Sequence, residues 1–339
     1  MPYAQQIITA NPDGSLTVND CVYGDPVTIE ESVLVHLIQT SAVQRLRHVL
    51  QHGITGVLGM TPPVTRLEHS VGAMLLVRRL GADIKEQIAA LLHDVSHTAF
   101  SHVVDHAFRG TDSYHELNKE AYVRSSDLPE TLAAFGYDWH EFLEEKDYPL
   151  LEQPSPALCA DRVDYGLRDC LAFCTLTSEQ VAQIVGNLTV VDKCIVCRDA
   201  YIARIFAEGY VATDRKVWSN PEHIALYELT GAAIRDAIAR GSITEEHLWL
   251  RDKEFWTILK SNSRESDKLA LVSPRTKFVP ATGDADADLS FFVKARTVDP
   301  DVQEGGRGVA LSTIDSDYKC IREAYLESKG EMVHLHIIA

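Results

Sequence analysis

Arg66-Leu67-Glu68-His69-Ser70, followed by Leu91-Leu92-His93-Asp94-Val95-Ser96-His97-Thr98-Ala99-Phe100-Ser101-His102, gathers four histidines and an aspartate around apolar, helix-forming sequence. Apolar helix ends rarely collect this many titratable groups without a use. Imidazole and carboxylate are ligands for divalent transition metals, and a His-Asp dipeptide at one helix end offers both. The small residues Gly72 and Ala73 predict close packing of a helix over Arg66–Leu80, and Ile84–His93 reads as a second, strongly apolar helix. Two packed antiparallel helices would bring His69 next to His93-Asp94.

Further along, Asp161-Arg162-Val163-Asp164-Tyr165-Gly166-Leu167-Arg168-Asp169 places Asp161, Tyr165, Arg168 and Asp169 on one helical face, while Asp164 and Arg168 are spaced to pair with each other. With Asp161 the set His69, His93, Asp94 and Asp161 becomes two imidazoles and two carboxylates. That donor set suits Mn, Fe, Zn, Ni or Co.

Composition bounds the rest. The 339 residues are 45% hydrophobic and 24% charged, as in an ordinary globular protein. A net charge of −17 argues against a nucleic-acid backbone or an anionic membrane as partner, and requires any phosphate site to be locally positive or metal-loaded. The start, Met1-Pro2-Tyr3-Ala4-Gln5-Gln6, carries no basic leader pattern, and no 18-residue apolar run follows, so a cytoplasmic or nuclear protein is expected. Seven irregularly spaced cysteines argue against a disulfide framework, and Cys194-x-x-Cys197 without a second such pair reads as buried strand cysteines.

Three regions are expected: an N-terminal β-hairpin arm over 1–32, a helical catalytic domain over 33–240, and an α+β lobe over 241–339. The hairpin is read from the alternating run Gly14–Ile29 with Gly24 and Asp25-Pro26. Helical spacing follows from Glu30 to Leu50, at Tyr114–Arg124, and at Pro221–Arg240. Beyond Gly241, Glu245–Leu259 reads as helix, Leu269–Val272, Phe291–Arg296 and Val333–Ile338 as strands, Asp315–Ser328 as helix, and Gly283–Asp288 as an acidic loop.

Arg-x-x-His, then His-Asp-x-x-His-x-x-x-x-His, then Asp-Arg-x-Asp-Tyr resembles the HD-domain metal-dependent phosphohydrolases, and within them the deoxynucleotide triphosphohydrolase branch. Asp20, Gly24, Gln44-Arg45-Leu46-Arg47, Gln51, Asp105, His115-Glu116 and Val298-Asp299-Pro300 fall in matching order, so the resemblance spans residues 18 to 320.

The resemblance implies a mainly α fold, an HD-domain helical bundle, with metal ligation by His69, His93, Asp94 and Asp161 and with Mg as an added ion. It implies that His97 and His102 sit against the phosphate, that His115 with Asp105 forms an acid/base pair, and that Gln51, Tyr165 and Asp169 hold the sugar. Arg66 and Arg162 are phosphate-clamp candidates, since a guanidinium matches a phosphate bidentately.

The expected activity is hydrolysis of a nucleotide-like phosphoester, in the specific form release of triphosphate from a dNTP, by a homo-oligomer. The open alternatives are a nucleoside monophosphate phosphatase or phosphodiesterase, a mixed-valent di-iron oxygenase using His97 and His102, and a non-catalytic nucleotide sensor. One stretch departs from the family: in Gly209–Pro221, Arg215 and Lys216 remain, but Asp214, Asn220 and Pro221 stand where further basic groups belong. Trp218 in that stretch is a candidate for stacking on a base.

Overall fold

The computed structural model describes residues 3–108, 110, 113–262 and 267–338; Met1 and Pro2 of the leader reading lie outside them. The chain opens with three antiparallel strands in sequence order, β1 (Ile7–Ala10), β2 (Leu16–Asp20) and β3 (Gly24–Ile29). The expected hairpin is therefore a three-stranded sheet. β2 alternates buried Leu16, Val18 and Asp20 with half-exposed neighbours, the pattern that makes a strand legible. β1 is largely exposed and has no such alternation, so it leaves no signal.

Helix α1 (Ser32–Gln39) ends at Thr40, whose hydroxyl caps the next turn by accepting from Val43 N at 3.4 Å. The long helix expected over Glu30–Leu50 is broken there. The central element is α2 (Arg66–Arg79), whose start is fixed by a capping box between Thr65 and Glu68 and whose residues Arg66 to Val77 are all buried. Helix α3 (Ile84–Leu92), capped by Asp83, returns along it after a four-residue turn.

Helix α4 (Ala160–Ala172) crosses α2 at Gly72. There the absence of a side chain admits Asp164 and Arg168. These three helices form the frame of the site.

Helix α5 (Ser178–Asn187) leads into β4 (Leu188–Val191) and β5 (Cys194–Cys197), then α6 (Ala200–Thr213). One wide turn over Asp214–Trp218 joins α6 to α7 (Pro221–Ala239). Asn220 and Pro221, anomalous as phosphate ligands, are the cap and first residue of α7, positions those residue types favour.

After α8 (Asp252–Asn262) come β6 (Lys277–Pro280), β7 (Leu289–Phe292), β8 (Asp301–Glu304), β9 (Arg307–Ala310), α9 (Ser316–Glu327) and β10 (Met332–Ile338). β10 lies between β6 and β7, while β4-β5-β8-β9 make a second sheet in which β5 and β8 run parallel. That sheet takes two strands from each side of residue 241, so the chain crosses the expected lobe boundary.

Two local readings change. Leu269–Val272 contributes to a short helix, Asp267–Ala270, rather than a strand, and Glu245–Leu259 divides into a 3-10 turn Glu245–Trp249 and α8. Short apolar runs are ambiguous between strand and helix, and packing decides them. Among the described residues no helix is long and apolar enough to cross a membrane.

Candidate metal centre and substrate cavity

His69 lies one turn into α2, His93 and Asp94 at the end of α3, and Asp161 in the first turn of α4. Packing brings His69 Nε2 to 3.1 Å from His93 Nε2, 3.0 Å from Asp161 Oδ1 and 3.6 Å from Asp94 Oδ2. Donors about 2.1 Å from a common ion stand about 3.0 Å apart at right angles and up to about 4.2 Å apart in trans. His69, His93 and Asp94 have donor atoms that all lie within 4.8 Å of one another, close to what one small divalent cation needs, with Asp161 against His69.

The outer contacts agree. His69 Nδ1 donates to Asp164 Oδ2 at 2.8 Å and His93 Nδ1 to Ala90 O at 2.8 Å, leaving both Nε2 atoms turned toward the same point. Burial alone would lower His69, but its hydrogen bonds to Asp161 and Asp164 outweigh it and push the imidazole up to about 10. Without a metal, a proton supplies the positive charge that these carboxylates demand.

Asp164 is held in turn by Tyr23 and by the fully buried Arg168, which also reaches Asp20 and Tyr3. Arg66 donates to Asp94 Oδ2 at 2.6 Å and to Ser101 Oγ at 3.0 Å. Ser101 sits in a sharp turn where Phe100 and Ser101 both adopt left-handed φ, of 61° and 51°. Such backbone costs energy and persists only where its surroundings fix it. Here Asp252, on α8, accepts from Phe100 N and Leu50 N at 2.9 and 2.8 Å, and Phe100 packs on Phe255. Asp252 carried no sequence signal, because its partners are backbone groups about 150 and 200 residues away.

Past this turn the histidines cluster. His97 stacks on His115 at 3.6 Å between ring centroids, and His102 lies 4.9 Å from His97. Asp94, His97 and His115 form a second group of ligand atoms within 4.8 Å of one another. Burial, Arg66 and His115 hold His97 well below the usual histidine range, while burial and His102 push His115 down to about 3.

Asp105 does not pair with His115. Its carboxylate accepts His102 Nδ1 at 3.1 Å and Tyr114 N at 2.8 Å, because His102 and Asp105 share one face of the turn Ser101–His106.

These groups open into a cavity of about 910 Å³. Gln51, Arg66, His69, His93, Asp94, His97, His102, His115, Asp161 and Tyr165 all line it. Three expected site residues do not. Asp105 lies behind His102. Arg162 turns its guanidinium to the carbonyls of Gln153 and Ala157 at 3.2 and 2.6 Å, tying down the loop before α4. Asp169 is fully buried, accepting His52 Nε2 at 3.0 Å and Trp218 Nε1 at 2.7 Å, so it sets the cavity wall rather than touching its contents.

Arg215 lies over the Tyr325 ring and Lys216 donates to Phe173 O, and neither lines the cavity. Among the described residues its Lys and Arg side chains beyond Arg66 are Lys119, Lys294 and Arg296, two of them from the C-terminal part of the chain. Phe291–Arg296 reads as a strand in the sequence, which does not show that Lys294 and Arg296 reach the cavity.

Residues 66–165 match the HD domain family. The chain is 43% identical over 330 residues to the metal-dependent phosphohydrolase cns2 of Cordyceps militaris, covering 94% of each protein. It is 33% identical to human deoxynucleoside triphosphate triphosphohydrolase SAMHD1 over 124 residues, which is 32% of this chain and 19% of that one. In fold it resembles a phosphohydrolase of Bacteroides thetaiotaomicron, with a TM-score of 0.64, 17% identity and coverage of 98% and 99% of the two chains. The histidine and aspartate cluster at the crossing of α2, α3 and α4, and similarity along nearly the whole length, make this chain a hydrolase belonging to the HD-domain metal-dependent phosphohydrolases.

Proposed function

We propose that the chain removes the phosphate from a nucleotide-like monophosphate rather than triphosphate from a dNTP. The observation that carries this reading is the charge around the cavity. Beyond Asp94 and Asp161, it is lined by Glu116, Glu120, Glu144, Glu145 and Glu152. Against them stand four cations among the described residues: Arg66 pairs with Asp94 and Lys119 with Glu145 at 2.7 Å, while Glu120, Glu144 and Glu152 pair with Arg124, Lys146 and Arg162 from outside the lining, so Lys294 and Arg296 are the cations left to meet a substrate. A triphosphate brings about four negative charges into such a site and finds too little positive potential to hold it. One phosphate at the metal centre is compatible with it.

A divalent ion held by His69, His93, Asp94 and Asp161 would supply Lewis acidity at phosphorus and lower the pKa of the attacking water. The chain's own groups do the rest. Arg66, locked by Asp94 and Ser101, lines the cavity and would meet the phosphoryl oxygens there. His97 lines the cavity, and its buried Nδ1 has no hydrogen-bond partner among the described residues.

His102 presents its other ring nitrogen to the cavity while Asp105 fixes Nδ1–H. Burial would raise Asp105, but the hydrogen bond from His102 holds it below its usual range, so it stays ionised and orients the His102 ring. His102 is thus the group that protonates the leaving oxygen, and His115, kept neutral, packs His97 in place. All seven cysteines are unpaired, which supports a reducing, cytoplasmic setting.

The test is product analysis with AMP, dAMP and dATP in the presence of Mn, Co, Ni or Mg. Inorganic phosphate from the monophosphates, lost in His69→Ala and Asp161→Ala, is the expected result. Triphosphate released from dATP as the main product would overturn the reading.

A further inference from the structure

The extended segment from Phe291 to Arg296 has a pattern that the metal chemistry does not use. Phe291 and Val293 are buried against Ala225 and Leu335, while Phe292, Lys294 and Arg296 alternate with them and line the cavity. Strand geometry puts residues i, i+2 and i+4 on one face, so this is a single edge carrying an aromatic ring and two cations. Only its first two residues belong to β7; from Val293 the segment continues without a strand partner.

Arg296 is anchored through its backbone, whose N–H donates to Asp214 Oδ2 at 3.0 Å, so its position does not depend on its side chain. Its guanidinium lies 4.0 Å from Asp214 Oδ1 and lines the same cavity as Tyr165 and Tyr227. Lys294 makes no ion pair or hydrogen bond among the described residues. Phe292 is 68% exposed, unusual for a phenylalanine on a cavity wall. Like charges converging on a concave surface call for an anion, and an exposed ring beside them calls for a flat apolar group.

We propose that this edge is the recognition element of the site: Arg296 and Lys294 hold the phosphate from the side away from the metal, and Phe292 covers an aromatic base. The ligand class is a nucleoside monophosphate, as distinct from a sugar phosphate without a base, and this rests on the monophosphate reading above. From Phe292 to Arg296 the extended chain covers about 13 Å, enough to span phosphate, sugar and base. Base stacking tolerates different bases, so the edge selects for a base more strongly than among bases.

The experiment compares AMP with ribose 5-phosphate on the metal-loaded protein, by steady-state kinetics and by calorimetric binding of AMP. For Arg296→Ala, losing a charge-assisted contact raises KM for both substrates about tenfold or more, with kcat changed much less. For Phe292→Ala, the preference for AMP over ribose 5-phosphate collapses, and Phe292→Tyr restores it. Phe292 is exposed and the anchor of Arg296 is backbone, so both variants keep the fold.

Unchanged AMP kinetics in Arg296→Ala together with an unchanged preference in Phe292→Ala would overturn the recognition edge and leave the monophosphatase standing. If the wild type releases triphosphate from dATP while AMP binding still weakens in both variants, the monophosphatase reading fails and the edge survives. If the wild type does not bind AMP at all, both fall.

Discussion

Replacing Gly72 with alanine tests the frame of the metal centre directly. A Cβ there would lie 2.0 Å from Asp164 Oδ1 and 2.2 Å from Arg168 Nη2. Neither atom is a loose end. Asp164 Oδ1 accepts from Tyr23 at 2.7 Å and from Arg168 at 2.8 Å, Asp164 Oδ2 accepts from His69, and Arg168 also holds Asp20 at 3.1 Å. All of these groups are buried. The added methyl must either part α2 from α4 or break this network. Disrupting a buried charge pair costs about 3–5 kcal/mol. Alanine recovers up to about 1 kcal/mol in helix propensity, leaving a net loss of about 2–4 kcal/mol.

Because Asp164 orients His69, metal affinity should also fall about 10- to 100-fold. Urea unfolding and calorimetric metal titration measure the two effects. Gly186→Ala is the control, since a Cβ there meets nothing within 4 Å, and it should be neutral or slightly stabilising. A Gly72→Ala protein with wild-type stability and metal affinity would refute the argument.

Three further outcomes follow from the geometry. Metal affinity should depend on pH with a definite sign: His69, pushed up to about 10, is protonated in the metal-free chain at neutral pH and must release that proton. Affinity therefore rises about tenfold per pH unit from pH 6 toward pH 9, and a pH-independent titration would contradict the proton's role. His102→Ala should lower kcat by about 10²- to 10⁴-fold with metal content unchanged, and Asp105→Asn should lower it less and shift the pH profile; intact turnover in both would remove His102 from proton transfer. Arg162→Ala should lose about 1–3 kcal/mol of stability in denaturant, since it leaves the carbonyls of Gln153 and Ala157 unpaired, but should not change KM; a raised KM would return Arg162 to the cavity.

The cluster that the fold brings together was legible because its chemistry is local in type and regular in spacing. His69, His93-Asp94 and Asp161 each sit near the end of a helix whose apolar periodicity and small residues announce it, and few other uses exist for such a set. Lengthwise pairings were less legible. Whether Asp105 serves His102 or His115 depends on which ring the turn at Phe100 presents, and that turn is held by Asp252 from another helix. Arg162 and Asp169 have the residue types of substrate ligands, yet one ties down a loop and the other fixes His52 and Trp218 behind the wall. Helical spacing states which residues share a face, not whether that face is cavity or core.

What the sequence by itself determined is therefore the histidine and aspartate cluster, the helices that carry it and the hydrolytic class, all consequences of residue type and short-range periodicity. The tertiary structure alone decided the electrostatics and the shape of the cavity. The acids between 116 and 152, the two cations at 294 and 296, and the ring of Phe292 meet around one metal centre only after chain segments up to about 180 residues apart have packed together. Long-range packing, which no local pattern encodes, determines the charge that a substrate meets.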